Sequence, residues 1–142
     1  MVKEAAATPT SPRRSYRILV VDDFGPIRQF VCAALGKRQH LQVVGEASDG
    51  LEAIQKAVEL KPDLILLDIG LPTLNGLEAA RQIRKLLPES KIIFLSQESS
   101  ADVVQEALKI GARGYVVKAG AATGLLTAVE AVISGKQYVS SE

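Results

Sequence analysis

What most constrains this chain is an alternation repeated five times: a short apolar run, then a stretch with apolar residues at helical spacing. The apolar runs fall at 17–21, 41–47, 64–67, 91–95 and 114–117. The run at 64–67 is continuous rather than alternating, as expected of a strand covered on both faces in a parallel sheet, whereas 41–47 is weaker and reads as a possible edge. The intervening stretches place Ile27, Phe30, Val31, Ala34 and Leu35 on one helical face, then Leu51, Ile54, Ala57 and Val58, then Ala79, Ile83, Leu86 and Leu87. Val103, Val104, Ala107 and Leu108 form a fourth stripe, and Leu125, Leu126, Val129, Val132 and Ile133 a fifth. Five strand–helix units predict an α/β fold, a doubly wound five-stranded parallel sheet with right-handed crossovers. With that count, the flavodoxin-like (βα)5 order 2-1-3-4-5 is the natural arrangement.

Punctuation residues agree with this division. Pro26 suits a first helical turn. Asp49 with Glu52, and Asn75 with Glu78, have capping-box spacing, and Ser99 with Asp102 resembles a further cap. Lys61-Pro62 and Pro88 stop helices, since the residue before proline disfavours α. Gly111 suits a left-handed helix end, and Gly135 closes the last helix.

Residues 1–15 are rich in Ala, Thr, Ser and Pro and lack apolar periodicity, so they read as a flexible extension. Residues 16–136 form one domain, and 137–142 a short tail. No apolar run approaches the ~20 residues a membrane span needs, and no signal peptide opens the chain. The single cysteine excludes an internal disulfide and a cysteine zinc cluster, which fits a reducing, cytoplasmic setting. Cys32 reads as helix filler and His40 as a surface residue. Lys3, Arg13, Arg14 and Arg17 against Glu4 give the first 17 residues a charge of +3, which leaves −2 for the rest of a chain of net +1. Such a domain lacks the basic footprint of a nucleic-acid binder.

In a parallel sheet every strand sends its carboxyl end to the same edge, where ligands bind. Standing at those ends are Asp22 and Asp23, Asp68, Ser96 and Lys118. The predicted order makes strands one and three neighbours, so three carboxylates converge and repel. A hard cation such as Mg²⁺ relieves that conflict, held by one or two carboxylates plus a phosphate. Carboxylates are covalent nucleophiles toward phosphoryl groups, and a metal with a lysine can neutralise the transferring oxygens. Asp68, Lys118 and Ser96 are thus the candidate reacting groups.

The segments Val20-Val21-Asp22-Asp23, Leu66-Leu67-Asp68-Ile69-Gly70-Leu71-Pro72 through Gly76, Ser96, and Gly111-Ala112-Arg113-Gly114-Tyr115-Val116-Val117-Lys118 resemble the receiver domain of two-component response regulators. The resemblance spans residues 17–136. It implies that Asp68 accepts a phosphoryl group from a sensor histidine kinase, and that Asp23 ligates Mg²⁺ directly beside Asp22, Asp68 and the Gly70 carbonyl. Ser96 matches the switch hydroxyl, Lys118 the phosphate-binding lysine, and Tyr115 the switch aromatic, expected to swing from solvent into space vacated by Ser96. The face made by helix four, strand five and helix five is the expected output surface. The chain departs from the family at Gln97, where a small residue is usual, and at Ala119, where proline usually follows the lysine. Neither removes a functional group.

The ending from Gly135 to Glu142 is similar to the segment that leads into a helix-turn-helix output domain in NarL/FixJ-type regulators. The resemblance thus implies transcriptional control in a longer parent, with DNA contacted only through an output domain absent from this chain. Self-association through the helix four/five face, or through helix one with the fifth crossover, is open. The chain reads as a phospho-acceptor and not an enzyme, with at most slow self-dephosphorylation. A binding-only pseudo-receiver is the alternative. A flavin protein or aspartyl phosphatase fits less well: no phosphate loop follows strand one, and Gly70 stands where such a phosphatase carries a second acid.

Overall fold

A computed structural model describes residues 15–140; the extension expected at 1–15 lies almost wholly outside them. The elements are β1 (Tyr16–Val21), α1 (Gly25–Leu35), β2 (Leu41–Ala47), α2 (Gly50–Leu60), β3 (Leu64–Leu67), α3 (Gly76–Leu86), β4 (Lys91–Ser96), α4 (Ala101–Ile110), β5 (Gly114–Val117), a 3₁₀ turn (Lys118–Gly120), α5 (Ala121–Ile133) and β6 (Tyr138–Val139). All pairings are parallel, in the order β2-β1-β3-β4-β5-β6. The five expected strands thus take the 2-1-3-4-5 order. A sixth, two-residue strand comes from the segment read as a tail, because Tyr138 and Val139 pair with Gly114 and Tyr115 and cover the β5 edge.

Alternate strand residues feed two cores, since successive side chains point to opposite faces. Leu19, Val21, Ile65, Leu67, Ile92, Phe94 and Tyr115 pack with Ala53, Ala57, Ala80, Ile83 and Ala107 of α2, α3 and α4. Ile18, Val20, Leu64, Leu66, Ile93, Leu95 and Val116 pack with Val31, Leu35, Leu125, Val129 and Val132 of α1 and α5. β3 and β5 are buried at every position, which is why their sequences are continuously apolar.

Helix faces are less apolar than the large residues suggested. In α2 the buried positions are Gly50, Ala53 and Ala57, while Leu51 and Val58 face solvent. The cause is close approach: a Cβ on Gly50 would overlap the Leu74 backbone, so the small-residue stripe turns inward. Phe30 and Leu86 are likewise exposed. Ser100, not Ser99, caps α4, its Oγ accepting from the Val103 N–H at 3.4 Å. The other caps lie where the spacing placed them: Asp49 accepts from Glu52 N–H and Asn75 from Glu78 N–H. Lys61 leaves the α region before Pro62 with φ 48°, and Gly111 ends α4 at φ 114°.

Candidate functional site at the carboxyl edge of the sheet

The ladders on both sides of β1 run one residue past the strands: Asp22 N–H bonds to Ala47 O of β2 at 3.1 Å, and Asp68 N–H, after β3, to Val21 O of β1 at 3.0 Å. The two acids are therefore set side by side where the winding reverses. Asp22 is 2% and Asp68 7% exposed; Asp23, next along, faces solvent. One carboxylate oxygen from each of the three lies within 4.8 Å of the others. Phe24 N–H donates to Asp22 Oδ1 at 2.9 Å, which aims Oδ2 inward.

After β3 the chain folds back on Asp68. Gly76 N–H bonds to Ile69 O at 2.7 Å, and a Cβ on Gly76 would overlap the Asp68 carbonyl oxygen. Only glycine allows α3 to begin this close to the acid. Ser96 ends β4, buried, its Oγ accepting from Glu98 N–H at 3.1 Å. From the end of β5, Lys118 reaches across, Nζ 2.8 Å from Asp22 Oδ2 and 3.4 Å from Asp68 Oδ2. These residues, with Gly70, Gln97 and Phe24, line one cavity of about 480 Å³.

Burial raises the Asp68 pKa above the usual carboxylate value, and the Asp22 charge adds to the rise; Lys118 and the Gly70 N–H pull it back. For Lys118, burial opposes the charged form, but the bond to Asp22 and the charges of Asp68 and Asp22 prevail, so its pKa rises. The cluster is short of positive charge: three carboxylates face one ammonium. Asp22 Oδ2 is buried and ion-paired with Lys118 Nζ at 2.8 Å, an ammonium that also serves Asp68. A set of hard oxygens in which three clustered carboxylates share one ammonium fits a divalent cation such as Mg²⁺. A second groove of about 430 Å³, between α3 and α4, is lined by Arg81, Arg84, Lys85 and Lys109 with Glu106 and Ile110. It gathers no nucleophile and no set of metal ligands.

The structure thus brings Asp22, Asp23, Asp68, Gly70, Ser96 and Lys118 together. Tyr115 does not line the cavity. It lies behind it, fully buried, and its hydroxyl donates to Glu98 O at 2.6 Å. This corrects the expectation of a solvent-facing ring: the ring stacks obliquely near Phe94, centroids 6.3 Å apart, and already fills the inner position. Burial raises its pKa, as do the Glu98 and Asp68 charges, against a hydrogen bond with Ser96. Sequence reasoning passed over Glu98, whose backbone holds both Ser96 and Tyr115, because main-chain roles leave no residue-type signal. It also passed over Arg28, whose guanidinium reaches the Asp22 carbonyl.

Comparison with known proteins agrees on one family. The model of the response regulator receiver domain matches residues 18–130. The chain is 35% identical over 126 residues to the response regulator GacA of Pseudomonas viridiflava, covering 89% of this chain and 59% of that protein. It is 36% identical over 126 residues to the transcriptional regulatory protein LiaR of Bacillus subtilis, covering 89% and 60%. The chain therefore spans about three fifths of the length of these curated relatives. Among solved structures, a LuxR-family two-component response regulator from Aurantimonas sp. SI85-9A1 superposes with TM-score 0.84 at 31% identity, covering 87% of this chain and 89% of that one. A signal receiver domain from Mycobacterium tuberculosis gives TM-score 0.82 at 31% identity, covering 87% and 100%.

Proposed function

Since the chain belongs to the response regulator receiver domain family, we propose that Asp68 is its phospho-acceptor, loaded by a sensor histidine kinase in a two-component phosphorelay. The observation that carries this reading is the single cavity holding Asp68, Asp22, Asp23, Ser96 and Lys118. An Asp68 carboxylate oxygen attacks phosphorus, and the O–P bond forms as the P–N bond to the donor's imidazole breaks. The leaving imidazole takes a proton from solvent. Lys118 holds a phosphoryl oxygen as a point charge, and the Ser96 hydroxyl donates to another.

Asp23, Asp22, Asp68 and the Gly70 carbonyl are the residues that would hold Mg²⁺. Bound there, the ion supplies neutralisation of charge on the phosphoryl oxygens. The chain itself acts as a phospho-acceptor with at most slow self-dephosphorylation, not as a turnover enzyme.

For Ser96 to reach a phosphoryl oxygen it must release the Glu98 N–H, and Tyr115 is tied to the carbonyl of the same residue. Phosphorylation would therefore draw the Ser96–Glu98 loop and Tyr115 together, shifting the α4–β5–α5 face between two existing states. In a longer parent this face would govern transcription, as the relative LiaR is a transcriptional regulatory protein. DNA would be contacted by an output domain and not by these residues. No helix among the described residues is long and apolar enough to cross a membrane, and a cytoplasmic setting fits a kinase-loaded domain. Self-pairing through the switching face belongs to the same proposal.

The test is exposure to a labelled small-molecule acyl phosphate with Mg²⁺. Wild type should acquire a hydroxylamine-labile label and Asp68→Asn none. A label retained by a folded Asp68→Asn protein rejects the assignment. An unlabelled wild type favours a binding-only module.

A further inference from the structure

We propose that Arg28 is a positioning residue for Asp22, and that by fixing the Asp22 peptide it sets the affinity of the acidic cavity for its divalent cation. This rests on the reading of the cavity as a Mg²⁺ and phosphoryl site. Arg28 lies in the opening turns of α1, where the helix dipole disfavours a cation. Its placement there therefore needs a local partner, and it has two. Nη1 donates to the Asp22 carbonyl at 2.6 Å, and Nε to Glu46 Oε1 at 3.0 Å. Glu46 is the penultimate residue of β2, just before Ala47, and its own carbonyl accepts from Lys56 Nζ at 2.6 Å. The guanidinium thus spans the ends of β1 and β2 from the helix above them.

This clamp accounts for every bonding atom of Asp22 but one. Its N–H is held by Ala47 O, its carbonyl by Arg28, and Oδ1 by the Phe24 N–H. Oδ2 is left buried, facing Lys118 at 2.8 Å. Without Arg28 the Asp22 carbonyl loses this bond where the chain turns from strand to helix, and the Asp22–Asp23 peptide is held less firmly, by the Ala47 and Phe24 contacts alone. A half-exposed Arg–Glu pair alone would matter little. Here it acts as the brace for a charge-assisted bond to the backbone of a metal-facing acid.

Charge and geometry predict opposite outcomes, and that makes the proposal testable. Removing a cation near three carboxylates should by charge alone tighten Mg²⁺ binding; losing the clamp should weaken it. Mg²⁺ binding to the whole chain would be measured by calorimetry at fixed ionic strength for wild type, Arg28→Gln, Arg28→Lys and Glu46→Gln. Thermal unfolding would be followed in parallel. Arg28→Gln should raise the dissociation constant about tenfold, the low end for outer-shell partners of metal ligands. Arg28→Lys keeps the charge but cannot serve both partners, so it should weaken binding too. Glu46→Gln should do so less, but it also removes a negative charge, so Arg28→Lys, in which charge alone predicts no change, keeps the test open if Arg28→Gln does not fold. At saturating Mg²⁺ the labelling rate of the variants should return to within about twofold of wild type, because chemistry on Asp68 is untouched.

An unchanged or tighter dissociation constant in variants that lose stability would assign Arg28 a purely structural role and overturn the proposal. If wild type is labelled on Asp68 and the variants bind Mg²⁺ normally, this inference fails while the proposed function stands. If wild type binds no Mg²⁺, both fall.

Discussion

Lys118 is the sharpest place to perturb the site. Its ammonium lies 2.8 Å from one buried carboxylate and 3.4 Å from another. At an effective dielectric of about 20, those attractions are worth about 6 and 5 kcal/mol gross. Desolvation removes several kcal/mol per buried ion, so the net is far smaller. Removing one partner of a buried pair costs about 3–5 kcal/mol because it strands the other charge. Lys118→Met keeps the packed stem and removes only the charge. At neutral pH without divalent cation it should therefore cost about 3 kcal/mol, in urea unfolding followed by far-UV circular dichroism.

The pH dependence has a fixed sign. The Asp68 pKa is already raised, and Lys118 is one of the groups lowering it, so the variant raises it further. A carboxyl group whose folded value exceeds its unfolded value loses stability as pH climbs from about 3.9 through the folded value. The deficit of Lys118→Met should be smallest in acid and full above that window. Mg²⁺ should narrow it, since the ion restores positive charge and binds more tightly where the lysine is gone. A loss under about 1 kcal/mol at neutral pH, or a gap identical with and without Mg²⁺, would refute the reasoning.

Gly76→Ala should lower stability by about 3 kcal/mol, the upper end for overpacking, because its Cβ meets backbone and not a mobile side chain. It should also slow labelling of Asp68; a melting curve matching wild type would contradict the close approach. Tyr115→Phe should cost about 1 kcal/mol, the net worth of one hydrogen bond, and should loosen the Ser96–Glu98 loop. Amide exchange at Glu98 and neighbouring residues would report it, and unchanged protection would uncouple Tyr115 from that loop. Burial raises the Cys32 thiol pKa, with Glu46 adding to it, so alkylation should be slow at neutral pH and accelerate only above the ordinary thiol range. Rapid alkylation at pH 7 would contradict that setting.

The strands were readable because β3 and β5 are covered on both faces and hence unbroken in apolar character. The site was readable for a related reason. Parallel topology brings four places far apart in sequence to one edge, and Asp22, Asp23, Asp68, Ser96 and Lys118 each stand at a strand's carboxyl end or within two residues of it. What escaped depends on close approach. The inward stripe of α2 is Gly50, Ala53 and Ala57 because the chain near Leu74 leaves no room for Leu51, and no periodicity rule weighs that contact. β6 escaped because two residues carry no pattern, and its pairing is with a strand edge. The inner position of Tyr115 depends on the Glu98 carbonyl, a main-chain acceptor to which the residue type is blind. Arg28 did leave a trace, a cation near the start of a helix, but its meaning needed the Asp22 carbonyl in view.

The central claim is that sheet topology assembles a pocket able to hold a phosphoryl group on Asp68. Its most direct test is a crystal structure with Mg²⁺ and beryllofluoride, a phosphoryl mimic. The account predicts beryllium density continuous with an Asp68 carboxylate oxygen, fluorines contacting Lys118 Nζ and Ser96 Oγ, and a cation against Asp23. Density on another residue, or Lys118 turned out of the cavity while the mimic is bound, would contradict it.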